Sequence, residues 1–509
     1  MKNLPIGIST LEKIITGDYL YVDKTKTAFD LIENGGGYYF LSRPRRFGKS
    51  LFLDTLKEIF YGNKELFKGL YIYDKYPFEK HPVINISFGS GEFKTKESLN
   101  LRINEIFLNN LREIGLEMEL TKSVAGNFED IIYQAYKKYG KRVVILVDEY
   151  DKPILDNIEN EEIAKEIRDE LKGFYSVIKD ADEYLKFVFL TGVSKFSKVS
   201  LFSGLNNLND ITINSKYATI CGYTQSELEY SFKEYLKGQD LDKIREWYNG
   251  YKWLGESVYN PFDILLFIDN NFDFRNYWFS TATPTFLLKL IEKNQYFIPD
   301  LENIILDETL LGSFDVDNLN LETLMWQTGY LTIDRVENLL NIREYYMKIP
   351  NREVEISLMS EISEFLTKSS ETKKHSNNML RALLKKDMES FELSLKCLFE
   401  SIPYNYFTKN EMFNYEGYYV SVFYANMKGL GIDAKCEVAT KRGRIDTLLQ
   451  LPEVIYVIEF KTEGGGALKQ IKEKGYHEQF LDSDKEIILV GIEFDKSKRN
   501  ISKVEWEQV

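Results

Sequence analysis

At 509 residues the chain exceeds what one hydrophobic core usually serves, so two to four domains are expected, and its 44% apolar and 14% aromatic content excludes a disordered chain. A formal charge of −14 excludes a uniformly basic nucleic-acid coat, although residues 401–509 are nearly balanced, with 15 Lys and Arg against 17 Asp and Glu. Cys221, Cys397 and Cys436 lack CxxC spacing, and His81, His375 and His477 lack a partner at helical spacing. These counts argue against a disulfide framework, a zinc knuckle and histidine chemistry, and leave catalysis to carboxylates, lysines and arginines.

In chain order, "MKNLPIGISTLEKI" lacks a basic stretch followed by an apolar run, and no 18 apolar residues are consecutive. Neither export nor a membrane span is expected, and a reducing cytoplasm fits. "YYFLSRPRRFGKSLFLDTLKEIF" reads as a strand over Tyr38–Leu41, a loop, and an amphipathic helix from about Gly48. "HPVINISF" (81–88), "RVVILVDEY" (142–150) and "YLKFVFLTG" (184–192) are near-continuous apolar runs separated by helical stretches. Such runs suit strands covered on both faces, so residues 1–225 are expected to form an α/β domain with a parallel sheet. From 226 to 350 the pattern turns helical ("SELEYSFKEYLKG", "LDKIREWYNGY", "TPTFLLKLIEKN") and closes on a hairpin, "GYLTIDRV" with "REYYMKIP", as in a helical lid or winged-helix module. Residues 351–400 read as a helical linker in which "SSETKKHSNN" (369–378) is the most linker-like stretch. Residues 401–509 read as a second α/β domain: a helix through "NEMFNYEGYYVSVFYANMKGLG", strands "DAKCEVAT", "GRIDTLLQL" and "VIYVIEFKT", a helix, and a final strand "EIILVGIEF".

The loop 43–50 matches GxxxxGK(S/T) at Gly48, Lys49 and Ser50 but has Arg43 where the first glycine stands. In such a loop backbone N–H groups and the helix N-terminus face phosphates, the lysine adds a point charge, and the hydroxyl holds Mg²⁺. Because non-glycine residues rarely adopt positive φ, Arg43 is expected in extended geometry, which Pro44 favours. Arg45 and Arg46 then lie beside the phosphates. Asp148, ending an apolar strand, is expected to hold Mg²⁺ through water, and Glu149 to polarise the attacking water. Thr191 or Ser194, ending the strand set next to it, is expected to sense the γ-phosphate. Together with "LPIGISTLEKIITGDYLYVDKTKTAFDLIE", "VDEYDKPIL", "LTGVSKFS", "WYNGYKW", "VYNPFDIL" and "YWFSTATPTFL", the loop resembles a bacterial family of AAA-ATPase-like proteins over roughly residues 4–350. The resemblance implies a P-loop ATPase that takes ATP rather than GTP and uses an additional catalytic glutamate, with a helical or winged-helix module behind it.

"GRIDTLLQLPEVIYVIEFKT" places Asp446 on one strand and Glu459 and Lys461 on the next. Residues two apart on a strand share a face, so Glu459 and Lys461 point together, Phe460 turns to the core, and a hairpin brings Asp446 beside them. Hard oxygen ligands and a lysine suit metal-assisted phosphodiester cleavage with Mg²⁺, or Mn²⁺ as an alternative. Glu416 on the preceding helix would complete the metal site, Gln470 would touch the substrate backbone, and Arg442 and Arg444 of "KRGR" would contact phosphates. This order resembles the PD-(D/E)xK nuclease superfamily over roughly 380–495, with "ID" in place of "PD". The resemblance implies a restriction-endonuclease-like domain. The combined expectation is an ATP-regulated nuclease acting on DNA more readily than RNA. The alternatives are an ATP-driven switch that binds nucleic acid or a partner protein without cutting, and remodelling as a homo-oligomeric ring, which needs an arginine supplied across a subunit interface.

Overall fold

A computed structural model describes residues 1–34, 37–195, 201–202, 205–279, 285–312, 320–402, 416–462, 465–495 and 500–509, apart from the side chains of Asn34 and Glu416. The chain divides into two compact units, Met1–Ala282 with Ile305–Asn351, and Thr283–Ile304 with Arg352–Val509. Among the described residues no helix is long and apolar enough to cross a membrane.

The first unit is organised by a five-stranded sheet of β1 (Tyr38–Ser42), β2 (Val83–Ser87), β3 (Val143–Asp148), β4 (Leu185–Gly192) and β5 (Asn209–Asp210), in the order β2-β3-β4-β1-β5. All four pairings are parallel. Parallel strands need crossovers that return the chain over the sheet, which the helices Lys49–Phe60, Lys96–Glu113, Val124–Tyr139 and Glu161–Asp180 supply. Every residue of β1 and the first five of β3 are buried, as expected of strands covered on both faces. Because β4 lies between β1 and β3, the loop after β1 faces carboxylates two strands away, at the carboxyl edge where ligands bind in open α/β sheets.

The same unit holds an antiparallel sheet of β6 (Ile305–Asp307), β7 (Thr332–Leu339) and β8 (Ile342–Lys348), ordered β6-β8-β7. The hairpin is the expected one; the three-residue β6 is too short to carry a periodic signal. Helices Gln225–Ser231 and Leu241–Tyr248 begin at side-chain caps from Thr224 and Asp240. The helix Thr285–Lys293 falls in the second unit, although it precedes β6 in the chain.

In the second unit the strands β9 (Asp433–Thr440), β10 (Gly443–Gln450), β11 (Val454–Lys461), β12 (Glu486–Asp495) and β13 (Asn500–Gln508) form one sheet in the order β13-β12-β11-β10-β9. Only β11 and β12 pair in parallel, joined through the helix Ala467–Lys474. β13 adds a strand to the expected three plus one; its buried Ile501 and Val504 are three apart, which breaks strict alternation. The linker-like stretch 369–378 differs too. Residues Thr372–Lys385 form a helix whose buried side is Thr372, Ser376, Met379, Ala382 and Leu383. Helical spacing is present there, but two of those five residues are polar, so hydropathy hides it.

Candidate functional site

The loop after β1 is held from beneath. Gly48 takes φ 90°, a left-handed conformation that glycine adopts freely, and caps the helix Lys49–Phe60. Arg46 also sits at positive φ, 68°, whereas Arg43 does not. The Lys49 ammonium donates to the carbonyls of Arg43 (2.9 Å) and Pro44 (2.8 Å). Burial pulls the Lys49 pKa down, and nearby Asp148 opposes this. The Ser50 hydroxyl donates to Asp148 Oδ2 at 2.6 Å, joining the first turn of the helix to the end of β3.

Around this loop lies an open cleft of about 600 Å³, a size that suits a nucleotide. Arg45, Arg46, Gly48, Lys49, Ser50 and Glu149 line it. The Arg46 guanidinium lies 3.9 Å from the Phe262 ring centroid, a cation–π contact that fixes it at the rim. Glu149 is held at φ 55°, and burial followed by its neighbour Asp148 raises its pKa. Thr191 and Ser194 do not reach this cleft among the described residues. Thr191 is fully buried and its Oγ1 has no hydrogen-bond partner. Ser194 instead donates from N (2.8 Å) and Oγ (2.6 Å) to Asp151, tying the end of β4 to the loop that carries Glu149.

The second constellation is built on the β10–β11 hairpin. Thr447 pairs with Ile458, so the next residues outward, Asp446 and Glu459, face one another across the strands. Asp446 Oδ2 accepts from the Phe460 N–H at 2.8 Å. Phe460 is buried in the core, and Lys461 Nζ lies 3.1 Å from Glu459 Oε1. Gln470, on the helix Ala467–Lys474, donates to the same oxygen. Glu459 Oε2 is buried with no partner, and burial together with Asp446 pushes the pKa of Glu459 up to about 7. A buried carboxylate oxygen left unpaired beside a second carboxylate is an arrangement that a hard divalent cation satisfies. Among the described residues no group of three or more His, Cys, Asp or Glu is gathered for a metal. Glu416 opens the helix Glu416–Gly429, but its side chain lies outside the described residues. Arg442 and Arg444 are exposed and ion-paired, to Glu478 (3.2 Å) and Glu437 (3.3 Å) respectively.

Sequence reasoning passed over three contributors. Pro5, Gly7, Ile8 and Ser9 line the cleft from the far N-terminus, together with Tyr223 and Phe262; no spacing rule links such distant segments. Arg43 is fully buried rather than a surface residue of the loop. Gly491 was the one legible signal, a glycine inside an apolar strand, which marks a close backbone approach. A Cβ there would stand 2.4 Å from Leu468 N, so its absence lets the helix carrying Gln470 settle against β12.

Residues 5–202 match the family described as predicted AAA-ATPase, and residues 414–504 match the PD-(D/E)XK nuclease superfamily. An uncharacterized protein in the vnfD 5' region of Azotobacter chroococcum mcd 1 is 46% identical over 507 residues, covering 98% of each chain. With an end-to-end relative and both matches in chain order, the chain belongs to the predicted AAA-ATPase family and carries a PD-(D/E)XK nuclease superfamily domain behind its ATPase region.

Proposed function

We propose that this protein binds and hydrolyses ATP in the cleft after β1, and that nucleotide occupancy governs a metal-dependent nuclease site at Asp446, Glu459 and Lys461 acting on DNA in preference to RNA. The reading assigns 1–225 to the ATPase domain, 226–350 to a lid or winged-helix module, 351–400 to a helical linker and 401–509 to the nuclease-like domain.

In the ATPase half, Lys49 exchanges its two carbonyl acceptors for phosphate oxygens, while Arg45 and Arg46 neutralise charge at the cleft rim. Ser50 and Asp148, already joined by a hydrogen bond, are the residues that would hold Mg²⁺ with the nucleotide. Glu149 takes the proton of the attacking water, and its raised pKa makes it a stronger base than a solvated glutamate. Asp151 keeps the Glu149 loop fastened to β4 through Ser194, so Ser194 relays the state of the cleft from beneath instead of touching the nucleotide.

In the nuclease half, Asp446 and Glu459 would hold the cation, with Glu416 as the expected further ligand. A divalent cation held there would supply positive charge against the scissile phosphate and would make the nucleophilic water more acidic. Lys461 keeps a positive charge 3.1 Å from Glu459, where it orients a nucleophilic water, and Gln470 fixes the rotamer of Glu459. The observation that carries this half is the unpaired, buried Oε2 of Glu459.

The test is a cleavage assay on single-stranded DNA, double-stranded DNA and RNA with Mg²⁺ or Mn²⁺, with and without ATP. Metal-dependent cleavage lost in Glu459→Ala and Lys461→Ala is expected, and equal products from wild type and both variants would refute the nuclease assignment. The net charge of −14 favours the second reading, a switch that binds a partner without cutting. Tight nucleic-acid binding with no turnover under either metal selects it.

A further inference from the structure

Arg43 stands where a phosphate-binding loop normally opens with glycine, and its environment is unusual for an arginine. The side chain is fully buried. Its Nη1 donates to the carbonyls of Ser42 and Thr212, both at 2.8 Å, and Nη2 to that of Tyr217 at 3.3 Å. The guanidinium carbon lies 4.1 Å from the centroid of Trp253, whose ring is packed edge-on to Phe47 of the same loop. Its main-chain N–H donates to Gly192 O at the end of β4. Arg43 therefore ties the loop to β1, to β4 and to the segment after β5 at once.

These hydrogen bonds go to neutral carbonyls, not to a carboxylate. Asp210 also attracts the guanidinium, and its carboxylate pairs with Lys195 at 3.0 Å. Burial pulls the Arg43 pKa down to about 10, which still leaves it charged at neutral pH. An arginine buried without an adjacent carboxylate is costly. Placed directly behind a loop that presents Lys49, Arg45 and Arg46 to a cleft, that charge favours an anion in the cleft, where low dielectric lets it act at a distance.

We infer that Arg43 is a positioning residue of the triphosphate site, pinning the start of the loop to the strand ends beneath it and adding a fixed positive charge behind the loop. The inference rests on the nucleotide reading above. It implies that this loop does not need the missing glycine, and that restoring it weakens the site. A plug that merely fills space would tolerate a methionine of similar length; a charge-bearing residue would not, and lysine would rescue it in part.

The experiment measures ATP affinity calorimetrically, at two salt concentrations, for the full-length chain and for Arg43→Gly, Arg43→Met and Arg43→Lys, with circular dichroism confirming folding. Arg43→Gly and Arg43→Met are expected to bind ATP at least tenfold more weakly, Arg43→Lys to recover part of that loss, and the salt dependence to flatten in the uncharged variants. Folded Arg43→Met that binds ATP as tightly as wild type overturns the inference. Should the Arg43 variants not fold, Trp253→Phe decides: it trims the platform under Arg43 while every loop residue keeps its identity and an aromatic ring still faces Phe47, and unchanged ATP affinity overturns the inference as well. Wild type that binds no ATP refutes the nucleotide reading itself, a result distinct from either outcome.

Discussion

The cleft after β1 is lined by the exposed Arg45 and Arg46 and by the buried Lys49, with the buried charge of Arg43 behind the loop, whereas the β10–β11 hairpin sets Asp446 opposite Glu459, which pairs with Lys461. The first arrangement suits an anion and the second a divalent cation. Their construction differs as well. The cleft is made of loops at strand ends, which can reshape when a ligand arrives. The hairpin site projects from within strands whose register is fixed by buried neighbours such as Phe460 and Thr447, so its geometry is set once the sheet forms. The proposed function thus assigns an adaptable nucleotide site and a rigid metal site to two separate compact units, the first to regulate and the second to perform chemistry.

The sharpest way to break this comparison is to remove the cation at the centre of the first site. Lys49→Ala is expected to lower ATP turnover by about 10³-fold while leaving Mn²⁺ binding by the hairpin site unchanged, as read by calorimetry. Glu149→Gln should keep ATP bound and stop its hydrolysis. Loss of metal binding in Lys49→Ala would show that the two sites are not independent.

Protonation tests the second site. Glu459 has its pKa raised from an ordinary 4.5 to about 7, so the folded chain holds that proton more tightly than the unfolded chain. The resulting stability is fully present below pH 4.5 and is lost as pH rises through about 7. Glu459→Gln keeps the neutral state, so its melting temperature relative to wild type should climb across that window, by ~1–3 kcal/mol of stability in total. Mn²⁺ at pH 8 should raise the melting temperature of wild type and not of Glu459→Gln. A pH-independent difference between the two proteins would show that Glu459 does not hold its proton more tightly in the folded chain.

Gly491→Ala probes the rigidity assigned to the hairpin site. A methyl group directed at Leu468 N forces the helix Ala467–Lys474 away and takes Gln470 from Glu459. A loss of ~1–3 kcal/mol, the usual range for overpacking, is expected from denaturant titration, with slower cleavage of any substrate. The smallest effect is expected from Arg442→Ala with Arg444→Ala. Both side chains already pair with carboxylates, so nucleic-acid affinity should fall about two- to tenfold and the salt slope by no more than about 2.

Much of this was readable before any coordinates. Near-continuous apolar runs announce strands covered on both faces, and β1 to β4 fall where those runs lie. Gly48, Lys49 and Ser50 are adjacent in the chain, so a strand, loop and helix are enough to bring them together. Glu459 and Lys461 share a face because side chains alternate along any strand. Other features were hidden for identifiable reasons. The helix beginning at Thr372 buries threonine and serine, which hydropathy scores as surface. The burial of Arg43 needs Trp253 and the carbonyls of Thr212 and Tyr217, all of them more than 160 residues away.

The sequence by itself determined β1 to β4, β9 to β12 and the shared face of Glu459 and Lys461, because period and spacing are local properties of a chain. Tertiary structure alone decided that β4 stands between β1 and β3, that an N-terminal segment walls the cleft, that the helix Thr285–Lys293 joins the second unit, and that a glycine on β12 lets Gln470 reach Glu459. Those outcomes depend on which surfaces bury one another, and burial is settled by contacts between residues far apart in the chain.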